Sequence, residues 1–143
     1  MFLKVLYPTD FSEVSARALP FIEKLAKAGT QEVVLLHVID VRFLDFMFYD
    51  TQKSLEAESK LIQHAKTEIE AIHDALKDMG LKVKTRIETA VPAREILCVE
   101  EEEGVSAIII GSHGKSNIEE MLLGSVSEEV VRKAKNPVLV IKR

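Results

Sequence analysis

The chain has 143 residues, of which 47% are hydrophobic and 29% charged, and its formal net charge is −4. This size predicts one domain over residues 1–143, and the apolar share is sufficient for a single core. The acidic balance argues against a nucleic-acid backbone as the main partner, which would require a basic surface.

The sequence also argues against a membrane or secreted protein. No apolar run approaches the roughly 20 residues that span a bilayer, and the N-terminus begins directly with a strand pattern instead of a signal peptide. The single cysteine, Cys98, excludes an intrachain disulfide and suits a reducing compartment. We therefore expect a cytoplasmic protein without a membrane partner.

The first predicted strand covers residues 2–7, and the segment Pro-Thr-Asp-Phe-Ser at 8–12 ends it. Pro8 cannot continue a central ladder of hydrogen bonds, and Ser12 is a typical N-cap for the helix that follows. Asp10 is therefore expected at the carboxyl end of a strand, where open α/β sheets bind their ligands. Its carboxylate suits a ribose hydroxyl or a nearby metal ion, and a purely turn-forming role is the alternative.

One helix is predicted from Glu13 to Ala28, bent in its interior by Pro20. The next segment, Glu32 to Asp40, is apolar on both faces and predicts a central parallel strand. His37 in this strand is interpreted as a histidine with a satisfied hydrogen-bond partner, because no second metal ligand is suitably placed.

Residues Val41 to Asp50 are interpreted as an unusually apolar loop that contains Phe43, Phe46 and Tyr49. It could cover a ligand as a lid, pack against a partner subunit or pack on the core, and the sequence leaves these roles open. The pattern from Thr51 to Met79 has apolar residues at spacings of three and four, which predicts a long amphipathic helix packed on the sheet.

Residues 81–88 alternate between apolar and polar side chains and predict a half-exposed strand at a sheet edge. A helix follows with Pro92 in its first turn, and its apolar pattern predicts that Cys98 is a small core residue. The acidic run Glu100 to Glu103 near the end of this helix is interpreted as a solvated face, with an acidic interaction patch as the alternative.

A glycine-containing stretch follows the apolar strand 107–110 and organises the rest of the chain. The strand ends at Gly111, and Gly114 comes three residues later. After a spacer of nine residues, Gly124 marks the predicted start of a helix over 125–134.

These glycines and the helix start predict a cradle for phosphate groups. Gly111 and Gly114 would let the backbone approach a ligand closely and adopt positive φ. The first N–H groups of the helix lack intrahelical acceptors at the positive end of its dipole, and Ser125 and Ser127 add hydroxyl donors. Such a site binds an anion without a basic side chain. The alternative is that the glycines only form a turn and the serine only caps the helix.

The sequence offers no recognisable catalytic set. A P-loop would need glycine at the position of Ile109, and no Cys/His spacing indicates zinc. His113 could contact a phosphate, but its adjacency to Ser112 does not create a base for proton transfer. No catalytic residue is therefore predicted, the metal ligands stay unknown, and turnover is left open.

Alternating strand and helix patterns, ending with the apolar strand Val138 to Ile141, predict a doubly wound parallel sheet. The last strand would leave an apolar edge, which proteins seldom leave open. Pairing with the same strand of a second copy would cover that edge.

The glycine spacing, Gly-x2-Gly-x9-Gly-Ser, and the segment at 8–12 resemble the ATP-binding branch of the universal stress protein family. The resemblance covers nearly the whole chain. It implies one α/β domain of the adenine nucleotide alpha hydrolase-like type, with a five-stranded parallel sheet flanked by helices. It also implies ATP as the ligand, together with Mg or Mn, and a homodimer formed through Val138, Leu139 and Val140.

The resemblance further implies which residues contact the nucleotide. Asp10 would help to hold the nucleoside end, and the backbone near Val38 would read the adenine edge. Ala90 stands where the family usually has glycine, which leaves the turn geometry there open. The expected contact residues are Pro8, Thr9, Asp10, Val38, Ile110, Gly111, His113, Gly114, Gly124, Ser125, Val126 and Ser127.

Two functions are compatible with these expectations. The first is a dimeric switch or sensor that binds ATP and changes shape or partner preference with its nucleotide state. The second is a slow ATPase or phosphotransferase that needs a partner to complete its site. A dimeric scaffold with a vestigial glycine loop is a third alternative, and the intact glycine spacing argues against it.

Overall fold

The computed structural model describes residues 2–48, 50–113 and 123–142. Within these residues, five strands form one sheet in the order β3-β2-β1-β4-β5. The strands are β1 (Lys4–Pro8), β2 (Glu32–Asp40), β3 (Lys82–Ala90), β4 (Ala107–Gly111) and β5 (Val138–Ile141). Every neighbouring pair is parallel, so the predicted five-stranded parallel sheet is confirmed.

Helices cover both faces of this sheet, as crossover connections between parallel strands require. The described helices are α1 (Glu13–Ala16), α2 (Leu19–Lys27), α3 (Val41–Met47), α4 (Thr51–Asp78), α5 (Pro92–Glu103) and α6 (Ser125–Lys133). The predicted long amphipathic helix is confirmed as α4, and the predicted last helix as α6.

The core lies in two layers, one on each face of the sheet. Successive residues of a strand point to opposite faces. Val33 and Leu35 of β2 therefore pack in the layer with α2 and α4, and Val34 and Leu36 pack in the layer with α5 and α6. All four side chains are fully buried, and each contributes about 1.5–3 kcal/mol of transfer free energy. A central strand with both faces buried explains why this segment is apolar throughout.

The two edges of the sheet are β3 and β5. The alternating pattern of residues 81–88 correctly predicted an edge strand. β3 continues to Ala90, which pairs with Asp40 at the end of β2. The position where glycine was expected is therefore the last residue of a strand.

The predicted single helix from Glu13 to Ala28 is wrong. Two helices, α1 and α2, lie in this segment and are separated at Arg17 and Ala18. Pro20 is in the first turn of α2, where a missing N–H costs no intrahelical hydrogen bond. The proline therefore begins a second helix and does not bend a continuous one.

The predicted loop from Val41 to Asp50 is wrong in its first part, because residues 41–47 form α3. The Oδ1 atom of Asp40 caps this helix by accepting a hydrogen bond from the Arg42 N–H at 2.9 Å. Leu44 is the buried residue of α3, whereas Phe46 is 79% exposed. Tyr49 lies outside the described residues.

The expectation of a buried cysteine is also wrong, because Cys98 is exposed. Ile96 and Val99 are the neighbouring residues of α5 that face the core. The Cys98 thiol donates a hydrogen bond to Glu102 at 3.1 Å, and this bond to a carboxylate raises the pKa of the thiol.

The acidic run at the end of α5 is not simply a solvated face. Glu100 is 2% exposed, and its Oε1 atom accepts hydrogen bonds from the N–H groups of Lys135 at 3.0 Å and Asn136 at 2.8 Å. The Glu103 side chain is 7% exposed and pairs with Lys84 at 2.7 Å. Buried carboxylates need such partners, and here the partners come from segments distant in the sequence.

Candidate functional site

The described part of the chain contains a cavity of about 790 Å³ over the carboxyl ends of β1, β2 and β4. The chain winds from β1 to β2 and β3 on one side and returns to β4 and β5 on the other. The winding direction therefore reverses between β1 and β4, and open α/β sheets bind ligands at such a reversal.

This cavity brings the predicted contact residues together. Those that line it are Pro8, Thr9, Asp10, Val38, Ile110, Gly111, His113, Gly124, Ser125, Val126 and Ser127. The remaining predicted residue, Gly114, lies outside the described residues. Contact between these residues and a nucleotide stays a prediction.

The turn after β1 is held by a chain of hydrogen bonds. Oδ1 of Asp10 accepts from the Ser12 N–H at 2.9 Å, and Oγ of Ser12 accepts from the Ser15 N–H at 3.1 Å. The Ser15 hydroxyl donates to Oγ1 of Thr9 at 2.7 Å, and the Tyr7 hydroxyl donates to the Ser15 carbonyl at 2.7 Å. A carboxylate has two oxygens, so Asp10 can form this turn and also accept a bond from a ligand.

Gly111 packs closely against α1. A Cβ atom at this position would lie 3.2 Å from the backbone N of Ser15 and 3.3 Å from a side-chain carbon of Val14. Among the described glycines, the positive φ angles belong to Gly29, Gly80 and Gly104. The predicted positive φ at Gly111 is therefore wrong, and the predicted close approach of its backbone to a ligand stays a prediction.

Ser112 connects the end of β4 to the start of α6 and to the end of β5. Its carbonyl accepts hydrogen bonds from the Gly124 N–H at 2.6 Å and from the Ser127 hydroxyl at 2.6 Å. Its N–H donates to the carbonyl of Ile141 in β5 at 2.8 Å. The Ser127 hydroxyl thus contacts the backbone of this turn in the described structure, and its predicted role as a donor to a ligand stays a prediction.

The N-terminus of α6 opens into the cavity. Gly124 is the N-cap residue, with φ −73° and ψ 166°, and it provides no side-chain capping bond. Ser125 is exposed, and both residues line the cavity together with Val126. The first N–H groups of a helix have no intrahelical acceptors and lie at the positive end of its dipole, so this wall suits an anion.

Ser112 and His113 form a contact that sequence adjacency did not predict. The Ser112 Oγ and His113 Nδ1 atoms are 2.9 Å apart, and the two residues are 1% and 8% exposed. The buried Ser112 hydroxyl is not accessible as a nucleophile. The geometry therefore gives His113 a place on the cavity wall and does not assign it a catalytic step.

A second wall of the cavity is contributed by the end of β2, α3, α4 and the start of α5. Its residues include Asp40, Phe43, Leu61, His64, Ala65, Pro92 and Ile96. The sequence offered Phe43 as part of a possible lid over a ligand, and the other residues of this wall were not predicted. Asp40 could have been found by the rule that selected Asp10, because it also ends a parallel strand. Leu61 and Ala65 belong to the apolar side of α4, where nothing in the sequence distinguishes residues that face a cavity from residues that face the core.

Asp40 is charged and held in place. Its Oδ1 and Oδ2 atoms accept from Nε and Nη2 of Arg42 at 3.0 and 2.9 Å. These hydrogen bonds hold the pKa of Asp40 below its usual range. The cavity thus has a carboxylate at the end of β2 and another at the end of β1.

The described residues contain no group of three or more His, Cys, Asp or Glu side chains placed to hold a metal ion. No helix in the described ranges is both long enough and apolar enough to span a bilayer.

Solved structures of other proteins share this fold. One is a universal stress protein in complex with cAMP, 21% identical, with a TM-score of 0.67 and coverage of 96% of this chain and 94% of that one. Another is an Arabidopsis thaliana member with AMP bound, 21% identical, with a TM-score of 0.67 and coverage of 98% and 91%. At this identity, the likeness to these two proteins concerns the fold alone.

A more similar relative is the universal stress protein MJ0577 of Methanocaldococcus jannaschii. It is 43% identical over 156 aligned residues, which cover 100% of this chain and 96% of the relative. A solved structure of MJ0577 has a TM-score of 0.93, at 45% identity, and covers 100% of this chain and 97% of that one. The sequence model of the Universal stress protein family matches residues 1–142. The chain therefore belongs to the universal stress protein family.

Proposed function

We propose that this protein binds ATP in the cavity over β1, β2 and β4 and acts as a nucleotide-dependent dimeric switch or sensor. The observation that carries the proposal is the meeting of the turn after β1 and the open N-terminus of α6 in one cavity at the sheet reversal. The first supplies a carboxylate for a sugar, and the second supplies backbone donors for phosphates. The cAMP-bound and AMP-bound family members support an adenine nucleotide as the ligand.

In the proposed complex, the phosphates contact Gly124, Ser125 and Val126, and the ribose lies near Asp10. The base lies beside the end of β2, where Val38 and Ile39 line the cavity. This assignment puts the charged part of the ligand at the helix dipole and its planar part against apolar side chains.

A divalent cation fits this arrangement as a companion of the phosphates. Mg²⁺ is usually held by one or two carboxylates together with phosphate oxygens and water. Asp10 offers a carboxylate in the cavity, and the described residues form no separate cluster of three ligands. When bound, the cation would neutralise phosphate charge, and Mg and Mn are the candidates.

The switch would act through β5. Leu139 of this edge strand is 42% exposed, and a second copy could cover Val138, Leu139 and Val140 by strand pairing. The end of β5 is bonded to the site, because Ser112 N–H donates to the Ile141 carbonyl at 2.8 Å. A nucleotide that binds two conformations of the protein with different affinity would shift the dimer equilibrium or the preference for a partner.

Substituting Gly124 with valine tests the phosphate assignment. The backbone at Gly124 has φ −73°, so valine can adopt it without strain, and its side chain would stand at the N-terminus of α6 where the phosphates are placed. We expect ATP affinity, measured by titration calorimetry with Mg or Mn, to fall by at least about tenfold.

The control for Gly124→Val is Ser59→Val, which adds the same side chain on the exposed face of α4 and should leave ATP affinity unchanged. Analytical ultracentrifugation should show the same oligomeric state for both variants. Unchanged affinity in Gly124→Val would rule out the phosphate site. Time-dependent release of ADP by the wild type would favour the alternative of a slow ATPase or phosphotransferase.

A further inference from the structure

Phe11 adopts a backbone conformation that a bulky residue rarely takes. Its φ is 65°, and it is the one non-glycine residue with positive φ in the described ranges. For a large side chain this left-handed region is disfavoured and persists only where the surroundings hold it. The residue follows Asp10 directly and lines the same cavity, so the strain lies at the proposed ligand site.

His37 of β2 provides one contact that holds this conformation. The rings of Phe11 and His37 are stacked, with centroids 4.1 Å apart and an angle of 23° between their planes. The Phe11 N–H also donates to Oγ1 of Thr9 at 3.1 Å. The unusual turn is therefore stabilised from the neighbouring strand as well as from within.

His37 also makes a second contact with this turn. Its Nδ1 atom lies 2.8 Å from the carbonyl oxygen of Thr9. A carbonyl only accepts hydrogen bonds, so Nδ1 carries the proton and the tautomer of His37 is fixed by this contact. His37 therefore contacts both sequence neighbours of Asp10, which are Thr9 and Phe11.

We propose that His37 is a positioning residue which, together with Phe11, holds the Asp10 carboxylate in place for the hydroxyl groups of a ribose. The proposal rests on the proposed function, because it concerns the same cavity. Fixing a binding group before the ligand arrives lowers the ordering cost of binding. His37 also lines the cavity, and the proposal assigns its effect on nucleotide affinity to Asp10.

The test is a double-mutant cycle on ATP affinity, measured by titration calorimetry. His37→Leu removes the stack and the hydrogen bond, and we expect it to weaken binding about tenfold. His37→Asn keeps a donor near the position of Nδ1 and should restore part of the affinity. In an Asp10→Ala background, His37→Leu should cause no further loss, because the group that it positions is absent.

The matched control is His73→Leu on α4, a histidine that lies outside this cavity, and it should bind ATP as the wild type does. Melting temperatures of all variants separate loss of binding from loss of fold. Wild-type affinity in His37→Leu overturns the proposal. A full-sized loss in the Asp10→Ala background overturns it as well, because His37 would then act independently of Asp10.

A measurement without nucleotide tests the geometric premise separately. The ¹⁵N shifts of the His37 ring report which nitrogen carries the proton, and the proposal requires Nδ1. A proton on Nε2 alone would overturn it. ATP binding by the wild type that is lost in Gly124→Val, together with normal binding by His37→Leu, would overturn this inference and leave the proposed function intact.

Discussion

Glu100 connects the end of α5 to the turn between α6 and β5. Its Oε1 atom accepts three hydrogen bonds, from the backbone N–H groups of Lys135 and Asn136 and from Nδ2 of Asn136 at 2.9 Å. A 2% exposed carboxylate that binds two backbone N–H groups fixes the path of the chain into β5. Glu100 therefore adds to the pairing with β4 in positioning the edge strand on which the proposed dimer depends.

Replacing Glu100 with alanine should lower the free energy of unfolding by about 1–3 kcal/mol, because it removes the acceptor of three part-buried hydrogen bonds. Urea denaturation monitored by circular dichroism measures this change. Glu101→Ala is the control from the same acidic run, since Glu101 is exposed and pairs with Lys135 at the surface. The control should change stability by no more than about 1 kcal/mol, and equal effects of the two substitutions would refute the role of Glu100.

At the scale of elements, Glu103 ties α5 to two strands of the sheet. Its carboxylate pairs with Lys84 of β3 at 2.7 Å, with Arg86 of β3 at 3.2 Å and with Lys4 of β1 at 3.5 Å. The hydrogen bond from Lys84 is the main cause that lowers the pKa of Glu103, while burial opposes it. β3 is an edge strand, and this cluster of ion pairs links it to α5.

The sign of the resulting pH dependence follows from the lowered pKa. A group whose pKa is lower in the folded state stabilises the fold above its unfolded pKa, about 4.3 for glutamate, and this contribution is lost as pH falls through the folded pKa. Glu103→Gln should therefore be less stable than the wild type near pH 7, by no more than about 1 kcal/mol because Lys84 is largely exposed. The difference should shrink at about pH 3, and a difference that does not change with pH would contradict this assignment.

The elements that could be predicted are those whose signal is local. The apolar run of β2, the alternation of β3 and the stripe of α4 each reflect burial that a single segment encodes. Helix α3 was missed because it is only two turns long and its cap, Asp40, is also the last residue of a strand. The burial of Glu100 and Glu103 could not be predicted, since their partners, such as Asn136 and Lys84, are far away in the sequence.

In the candidate site too, the features encoded in a single segment could be predicted, and those that depend on distant contacts could not. Asp10 and Gly124 mark the ends of local patterns, a strand end and a helix start, and the structure places both on the cavity. The role of Gly111 depends on contact with Ser15 of α1, and the role of Ser127 depends on the carbonyl of Ser112. Neither contact is encoded in the segment that contains the residue.

At the scale of the whole molecule, hydrogen bonds of Ser112 connect the cavity to the edge strand β5. β4 lies between the central strand β1 and the edge strand β5, and Ser112, just after β4, is bonded to both Gly124 of the site and Ile141 of β5. A change at the phosphate end of the cavity therefore has a short covalent and hydrogen-bonded route to the proposed dimer surface.

The measurement that tests the central claim most directly is the nucleotide content of the purified protein. The protein is denatured and the released small molecules are separated by chromatography, both as purified and after incubation with ATP and Mg or Mn. We expect stoichiometric, intact adenine nucleotide from the wild type, at least after incubation, and its loss from the folded Gly124→Val variant. Folded wild-type protein that releases no nucleotide under either condition would contradict the account.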